Sequence, residues 1–418
     1  MDLLIILLPI ILLAALGIIE KRRNQNDLKK IPLRININGI RGKSTVTRLI
    51  FSILREAGYE VVAKTTGSAT RMLYWDDIAE ECIDRPPAGP SIKEQLKVIH
   101  KAANYGAKAL VCECMAVRPE YQEVYQNVMF QPQITVIVNT LKDHLDEMGP
   151  TRTQIAWAFA TGIPEQGKLI VPQDEFLDYY RQEADKRSCE VYSFAENEIP
   201  EVLRGLIAKG IFPANCAAAL ATARALGIPR DIAIRGILNA SPDPGSMRIQ
   251  EMPSKRGMAF FCNAFAANEP SSSLKIWELL QLLNVPHENP LIIFNARADR
   301  IDRTRLFAKD FFPHMPRSEM VVIGESAKEL ITEIKRGKYP NIDRIYDLTD
   351  RKPREVAQII YSLAPGRTVF AVGNLHGAGE EVISELIQSG KLCATNKVDF
   401  LNQRKQASPE LELAEENL

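Results

Sequence analysis

The sequence predicts an α/β protein in which a larger parallel-sheet domain with a phosphate-binding loop precedes a smaller Rossmann-like domain. The first observation is the alternation, from Ile31 onward, of short apolar runs with helical patterns, which is typical of parallel strands joined by crossover helices. The second is a glycine-rich turn directly after the first of these runs. The third is the apolar run from Leu3 to Ile19, which predicts a membrane-anchor helix at the amino terminus.

The length and composition of the chain limit its class. Its 418 residues, 46% of them apolar, are enough for two or three domain cores. The formal net charge is zero, so we expect no nucleic acid among the partners. The seven cysteines contain no Cys-x-x-Cys pair and therefore favour neither a disulfide framework nor a structural zinc site.

The amino-terminal run has the charge pattern of an uncleaved anchor. Its cations follow it directly, at 21–23, whereas a signal peptide carries its positive charge in front. We therefore predict a single-pass anchor in the cell membrane over residues 1–20 and a basic tether over 21–30. The amino terminus would lie outside and the domains after the anchor in the cytoplasm. The alternative is a buried helix, because a run this short, with Pro9 inside it, is at the lower limit for a span.

Two series of strand-like runs follow the tether, and helical patterns separate the runs. The first series predicts strands near 34–38, 60–63, 109–115, 134–139 and 168–171, with helices such as 44–57 and 91–105. The second predicts strands near 258–263, 291–295, 320–323, 344–346 and 368–372, with helices around 271–283 and 379–389.

The proline- and glycine-rich segment 241–245 separates the two series and is the natural hinge. We therefore predict a central domain over 31–245 and a smaller domain over 246–393. The remaining residues, 394–418, are acidic and weakly apolar, which predicts a disordered tail.

The turn after the first strand carries the strongest functional signal. It consists of Gly39, Ile40, Arg41, Gly42, Lys43, Ser44 and Thr45 and leads into a helix. The N–H groups of such a turn hold phosphate oxygens, its lysine neutralises them and its serine reaches Mg²⁺. The generic P-loop has a further glycine where this chain has Ile37, so an ordinary glycine turn at the end of a buried strand stays open.

Two side chains near the ends of other predicted strands are candidate metal ligands. Glu113 lies near the end of the apolar run 109–115, where an unpaired carboxylate would be costly to bury without a cation or hydrogen bonds. His144 follows the next strand, between Asp143 and Asp146, which could orient its ring or approach a metal. A capping or packing role for His144 is equally compatible with the sequence.

Taken in this order, the turn 38–45, Glu113 and the segment 139–146 resemble the motifs of the Mur ligase superfamily, which contains ATP-dependent amide ligases and also lacks the early glycine. Within it, the anchor and the segments 34–49, 241–248 and 263–268 are similar to the PgsB/CapB family of poly-γ-glutamate synthase ligase subunits. The resemblance implies an ATPase fold and an ADP-forming, acid–amino-acid ligase. It also implies ATP and Mg²⁺ as cofactors.

The resemblance further implies a reaction and partners. Glutamate would be polymerised through γ-amide bonds by way of an acyl phosphate, for a capsule or secreted poly-γ-glutamate. Small integral-membrane subunits of the same synthase and export system would be the partners at the membrane, and assembly into a homo-oligomer stays open. The alternatives are a membrane-tethered ATPase that powers export or assembly, a Mur-type ligase with another carboxylate acceptor, and a nucleotide-binding scaffold without catalysis.

Roles for individual residues follow from the same resemblance. Lys43 and Ser44, with the turn amides, would hold the ATP phosphates, and Glu113 and His144 would contribute to Mg²⁺ binding. Asn215 matches an asparagine that contacts the nucleotide. Arg248, just past the Pro-Gly hinge, matches an arginine that reaches ATP.

Further candidates lie on the side of the amino-acid substrate. In the smaller domain, Arg297, Arg300 and His376 follow predicted strands, and the two arginines could clamp a glutamate carboxylate. A salt bridge of these arginines with Asp299 or Asp302 is nearly as compatible with the sequence. Arg71 is a weaker candidate for the acceptor side.

Two departures from the superfamily pattern concern the metal and nucleotide sites. The stretch 155–162 lacks the lysine that several muramyl ligases carbamylate, which puts a second metal site in doubt. Similarly, the segment 263–268 lacks the aspartate that many relatives carry after the hinge, so its ribose or metal contact does not transfer.

Overall fold

The computed structural model describes residues 2–67, 70–76, 80–83, 91–143, 145–243, 248–254, 256–267, 269–282 and 285–392. These residues form two compact units. Unit 1 comprises the described residues of Met1–Arg204 and Ile211–Pro244, and unit 2 comprises those of Gly205–Gly210 and Gly245–Leu418.

Unit 1 is built on an eight-stranded sheet, counted over the described residues, with the order β4-β3-β2-β5-β1-β6-β7-β8. Its strands are β1 Leu33–Asn38, β2 Val61–Thr65, β3 Arg71–Tyr74, β4 Glu81–Cys82, β5 Ala109–Glu113, β6 Ile134–Ile137, β7 Lys168–Pro172 and β8 Glu190–Phe194. All pair in parallel except β3 and β4, which form an antiparallel edge. Because β1 lies between β5 and β6, the sheet reverses its strand order there, which is where open α/β sheets bind ligands.

Helices cover both faces of this sheet. They are α1 Asp2–Lys30, α2 Lys43–Glu56, α3 Glu94–Tyr105, α4 Pro119–Val124, α5 Leu145–Met148, α6 Arg152–Ala160, α7 Leu177–Asp185, α8 Glu201–Arg204, α9 Pro213–Ala225 and α10 Arg230–Leu238, with a π-helical turn over Tyr125–Phe130. Two of the apolar clusters that form where these helices pack on the strands lie around Leu110 and around Phe159. A Cβ at Gly236 would lie 2.6 Å from the Ile53 Cα atom, so this glycine lets α10 pack closely on α2.

Helix α1 corrects one prediction. Residues 21–30 are not a tether but continue the helix to Lys30 and pack on unit 1. The Asn24 side chain donates to the Met129 carbonyl at 2.8 Å, and Asp27 contacts the His100 ring at 2.7 Å. In the described part of the chain, no helix has the length and apolarity that crossing a membrane requires. The anchor over residues 1–20 is therefore not confirmed and stays a prediction.

Unit 2 is built on a six-stranded sheet, counted in the same way, with the order β13-β12-β11-β14-β10-β9. Its strands are β9 Arg248–Ser254, β10 Gly257–Asn263, β11 Leu291–Ala296, β12 Ser318–Gly324, β13 Ile342–Asp347 and β14 Thr368–Gly373. All pair in parallel except β9, which lies antiparallel to β10 at one edge. Its helices are α11 Pro270–Leu282, α12 Ile301–Asp310, α13 Lys328–Lys335, α14 Pro353–Leu363 and α15 Ala378–Gln388.

The predicted mixture of parallel strands and crossover helices is confirmed, and every strand that the apolar runs predicted is present. The runs missed β3, β4, β8 and β9. Of these, β4, β8 and β9 are edge strands, where a continuous apolar run is not required, and β3 is a four-residue strand between β4 and β2, too short to give a clear run. The tail prediction, 394–418, lies outside the described residues.

Candidate active site

The phosphate-binding turn connects β1 to α2 at the point where the strand order of unit 1 reverses. Its backbone needs two glycines, because φ is +125° at Gly39 and +82° at Gly42. The Asn139 carboxamide, just past β6, holds the turn in shape. It accepts from the N–H groups of Ile40 and Arg41 at 3.2 and 3.1 Å and donates to the Arg41 carbonyl at 2.8 Å. The turn is therefore shaped before any phosphate arrives.

Lys43 lies at the start of α2, with its side chain folded back over the turn. Its Nζ atom donates to the carbonyls of Gly39 at 2.7 Å and Ile40 at 3.2 Å. Burial lowers the pKa of Lys43, and the negative charge of nearby Glu113 opposes that shift. The first N–H groups of α2 have no partner within the helix, so Lys43 and these groups together form a site for an anion.

Glu113, at the end of β5, is 3% exposed and faces the start of α2. Its Oε2 atom accepts from the Ser44 hydroxyl at 2.8 Å and from the Thr66 N–H at 2.6 Å. Both donors are neutral, and the nearby cation that attracts this buried carboxylate is Lys43. The Ser44–Glu113 pair is therefore an oxygen-rich corner that suits a divalent cation.

Two further predicted residues border the turn. A Cβ at Gly42 would lie 2.5 Å from the Asn215 Oδ1 atom, so the start of α9 is in contact with the phosphate turn. Thr45 is buried in the first turn of α2. Arg41 points to the other side, where its Nη2 atom lies 3.0 Å from the Asp143 carboxylate. His144 lies outside the described residues, so its predicted role stays a prediction.

A charge network that no motif in the sequence predicted lies one helical turn beyond Ser44. Arg48 is 1% exposed on α2 and bonds to both Glu80 carboxylate oxygens, with Nη2 at 2.8 Å from Oε2. Its Nε atom lies 3.5 Å from Asp243, and Arg71 Nε lies 3.5 Å from Glu80. The hydrogen bond from Arg48 lowers the pKa of Glu80. An arginine among the apolar positions of α2 was the sequence signal that could have indicated it.

In this network Arg71 is paired with Glu80 at the first residue of β3, opposite Thr65 at the end of β2. Arg71 therefore lies at the same sheet edge as the phosphate turn. Gly67, which follows β2, lies against the Ser44–Glu113 pair, since a Cβ at Gly67 would lie 2.7 Å from the Ser44 Oγ atom.

In unit 2, two buried asparagines bind each other at the carboxyl ends of β11 and β14. Asn295 donates to the Asn374 carbonyl at 2.6 Å, and Asn374 donates to the Asn295 carbonyl at 3.0 Å. Arg303, on α12, donates to the Asn374 side chain. A Cβ at Gly373 would lie 2.6 Å from the Asn295 carbonyl oxygen, so only glycine fits there. No single motif in the sequence predicts this cluster, because its members lie in separate segments of the chain.

The two arginines predicted to clamp glutamate and the predicted substrate residue His376 lie at this edge but differ in their partners. Arg297 binds Asp299 through two hydrogen bonds of 2.9 and 2.7 Å, which is the salt bridge that the sequence left open. Arg300 is exposed. His376 contacts Glu380 at 3.0 Å and is also exposed. The backbone of Arg248 pairs with Asn263 at the same edge, whereas its side chain lies outside the described part.

Two protein-family models match this chain. Residues 37–208 match the Mur ligase middle domain, and residues 249–389 match the poly-gamma-glutamate synthase CapB C-terminal domain. Over 386 residues the chain is 44% identical to PGA synthase CapB of Bacillus subtilis (strain 168), covering 92% of this chain and 98% of that protein. It is also 43% identical to the capsule biosynthesis protein CapB of Bacillus anthracis over 372 residues, covering 89% and 80% of the two chains.

Solved structures with the same fold are more distant in sequence. The bifunctional folylpolyglutamate synthase/dihydrofolate synthase of Yersinia pestis, complexed with AMPPNP and Mn ion, superposes with a TM-score of 0.63. The match covers 87% of this chain and 92% of that one at 16% identity, so it shows the fold alone. With both of its units matched and close relatives along nearly its whole length, the chain belongs to the CapB family of poly-γ-glutamate synthases, built on the Mur ligase fold.

Proposed function

We propose that the protein is an ATP-dependent, ADP-forming ligase that joins glutamate units through γ-amide bonds. The observation that carries the proposal is the preformed phosphate turn with its Ser44–Glu113 corner, in a chain 44% identical to a PGA synthase. A parallel sheet places such a turn where ligands bind, and phosphoryl transfer depends mainly on positioning and charge. ATP is therefore the proposed energy source.

The residues present also fit Mg²⁺. Hard oxygen donors are what this ion prefers, and it keeps several waters and phosphate oxygens, so one hydroxyl and one carboxylate from the protein suffice. The Ser44 hydroxyl and Glu113 carboxylate supply them, with His144 as a proposed third ligand. Among the described residues, no group of three or more His, Cys, Asp or Glu side chains could hold a metal. Bound at this corner, Mg²⁺ would offset negative charge on the phosphates.

The proposed reaction balances without a protein nucleophile. An oxygen of the glutamate γ-carboxylate attacks the γ-phosphorus of ATP, the bond to the β–γ bridging oxygen breaks, and ADP leaves. The neutral amine of the second glutamate unit then attacks the acyl carbon, the bond to the phosphate oxygen breaks, and the amine releases its proton as phosphate leaves. Lys43 and the first N–H groups of α2 would hold the transferred phosphate during the first step.

The remaining predicted residues are assigned to the binding of the nucleotide and of the amino-acid substrates. Asn215 would contact the nucleotide beside Gly42, and Arg248 would reach ATP from the segment that follows the hinge. Arg71 would act on the acceptor side in unit 1, and Arg300 and His376 would attract a glutamate carboxylate in unit 2. The roles of Asn215 and Arg248 rest on the family resemblance, and those of Arg71, Arg300 and His376 on their places at the carboxyl edges of their sheets.

We also propose that the first half of α1 attaches the enzyme to the cell membrane. Its described large apolar side chains are exposed, including Ile11 at 63% and Leu13 at 68%. Water-exposed apolar side chains in one helix favour contact with lipid or with an apolar partner. Small integral-membrane subunits would receive the growing polyanion there, and the catalytic units would lie in the cytoplasm, where ATP is. Vesicle flotation of the full chain, compared with Ile11→Asp and Leu13→Asp variants, tests this attachment.

Hydroxylamine trapping tests the ligase proposal directly. The full-length protein in detergent is given Mg-ATP with or without D- or L-glutamate, and ADP and γ-hydroxamate are measured. We expect glutamate-dependent ADP and hydroxamate, both lost in Lys43→Ala. ATP turnover that is indifferent to glutamate and gives no hydroxamate would support the ATPase alternative instead.

A further inference from the structure

A cleft in unit 2 runs from the candidate substrate edge of the sheet to the opposite edge. It has a volume of about 640 Å³ and lies between α12 and α13. Ile301, at the start of α12, and Ser326, just past β12, line one end. Lys338 and Asn341, which precede β13, line the other. Since α12 has ten residues, the cleft is about 15 Å long.

The charged lining of this cleft comprises three cations and two carboxylates. Arg305 and Lys309 lie one turn apart on the α12 wall, and Lys338 lies at the far end. Arg305 pairs with Glu329 at 3.3 Å, with 69% and 65% of the two side chains exposed. Exposed pairs of this kind hold each other weakly, so the cation can exchange its partner for a carboxylate of a ligand.

The remaining lining includes apolar side chains, from Ile301, Ala308, Pro313 and Leu330, beside polar ones such as Thr304 and Asn341. A ligand that offers carboxylates along an extended chain, with apolar segments between them, would match the cations and the apolar part of this lining. A γ-linked glutamate chain has this chemistry, because every unit carries one free α-carboxylate and two methylene groups. The second carboxylate of the lining, Glu333, accepts from Lys338 at 2.6 Å, so Lys338 too would exchange a protein carboxylate for one of the ligand.

We propose that this cleft binds the growing γ-glutamyl chain behind its reacting end. The assignment rests on the proposed function, since that chain is its product. The chain end would lie at the edge where Asn295 and Asn374 meet, and the preceding units would follow α12. Retention of the chain between successive additions would make elongation processive, and binding would weaken as salt screens the cations.

Fluorescence anisotropy tests the assignment without ATP. The full-length protein is titrated with a fluorescein-labelled oligomer of γ-linked glutamate at low salt. We expect Arg305→Gln and Lys309→Gln each to weaken binding by roughly threefold, and the double variant by about tenfold. Glu329→Gln should tighten binding, because it releases Arg305 and removes a repelling carboxylate.

The exposed Arg351–Glu355 pair at the start of α14 supplies matched controls, since its 3.5 Å contact lies outside the cleft. Arg351→Gln and Glu355→Gln make the same charge changes and should leave the affinity unaltered. The assignment would be overturned if the control variants changed the affinity for the oligomer as much as the cleft variants do, or if the double cleft variant left that affinity unchanged. Equal affinity for an α-linked oligomer would also overturn it, because the cleft would then be a generic polyanion site.

The hydroxamate assay separates this inference from the proposed function. Cleft variants should still form hydroxamate from free glutamate while making shorter polymer. If the wild type forms no hydroxamate, the ligase proposal fails, and anisotropy still reports on the cleft because it needs no turnover.

Discussion

The carboxyl edges of the two sheets are formed by different kinds of groups and suit different ligands. In unit 1 the edge is formed by backbone, with a glycine turn held by Asn139 and one buried carboxylate, Glu113. In unit 2 the edge is formed by side chains from separate strands, with Asn295 and Asn374 buried beneath exposed cations. A phosphate is bound well by N–H groups and a cation, which a short local segment supplies. An amino acid requires groups from several elements.

The largest loss of activity is expected at the carboxyl edge of unit 1, where backbone groups form most of the site. Lys43→Ala should lower kcat/KM for ATP by about 10²- to 10³-fold, because it removes the cation nearest the turn. Lys43→Arg keeps the charge and should retain more activity. ADP formation measured against ATP concentration checks this, with thermal unfolding as the control for folding. Retained activity in Lys43→Ala would mean that phosphate binding does not depend on this edge.

The lowered pKa of Lys43 adds a pH dependence. As pH rises, this side chain should lose its charge earlier than an ordinary lysine, so ATP affinity should fall on the alkaline side. Because the folded pKa lies below the unfolded one, deprotonation favours the folded state, and stability from this group rises with pH. ATP titrations across the alkaline range should therefore show weaker binding without unfolding. Lys43→Arg should flatten the profile, and an unchanged profile would contradict this assignment.

The next effect concerns the buried network under the unit 1 edge. Arg48→Met should lower the free energy of unfolding by about 3 kcal/mol, because it removes a buried cation from beside buried Asp243 and leaves half-buried Glu80 paired with Arg71. Arg55→Met on the same helix removes a partly exposed cation and should cost less than about 0.5 kcal/mol. Urea unfolding of both variants measures the difference. Equal losses would show that the network contributes nothing beyond helix packing.

A smaller effect is expected at the side-chain-built edge. Asn374→Ala should lower the free energy of unfolding by about 1–2 kcal/mol and raise KM for glutamate, since it removes the side-chain donor to the Asn295 carbonyl and the side-chain oxygen that accepts from Arg303. Thr368→Val breaks a buried hydrogen bond to Pro286 at the opposite edge. It should destabilise unit 2 similarly but leave KM for glutamate unchanged. A KM shift in both variants would mean that stability, and not position, controls the site.

The smallest effect on KM for glutamate is expected at Arg297, which the structure distinguishes from Arg300. Arg297→Gln should change KM for glutamate less than twofold, because two hydrogen bonds of 2.9 and 2.7 Å hold its guanidinium on Asp299, and a bidentate pair of this kind gives up its partner less readily than a pair with a single contact. Arg300→Gln should raise it severalfold. Glutamate titrations of ADP release test the pair, and the reverse order would show that glutamate displaces Asp299 from Arg297.

The two edges also differ in how far the sequence predicts them. The turn 39–45 and Glu113 were predicted because their signals are local: strand, glycines, lysine, and a carboxylate in an apolar run. The Arg48 network and the asparagine pair were not, because Glu80 and Asp243, or Asn295 and Asn374, are distant in sequence and nothing local relates them. Helix α1 shows the same limit. Its polar end resembled a tether, but contacts with Met129 and His100 extend the helix to Lys30.

By itself, the sequence determined the α/β class, the strands with continuous apolar runs and the phosphate turn, because periodicity and backbone requirements act over neighbouring residues. Only the tertiary structure decided which charges are buried together, that Arg297 is already paired, and that a cation-lined cleft runs beside α12. The physical reason is that burial and ion pairing depend on the distances between secondary-structure elements. Strand order and packing determine these distances, and the local sequence does not encode them.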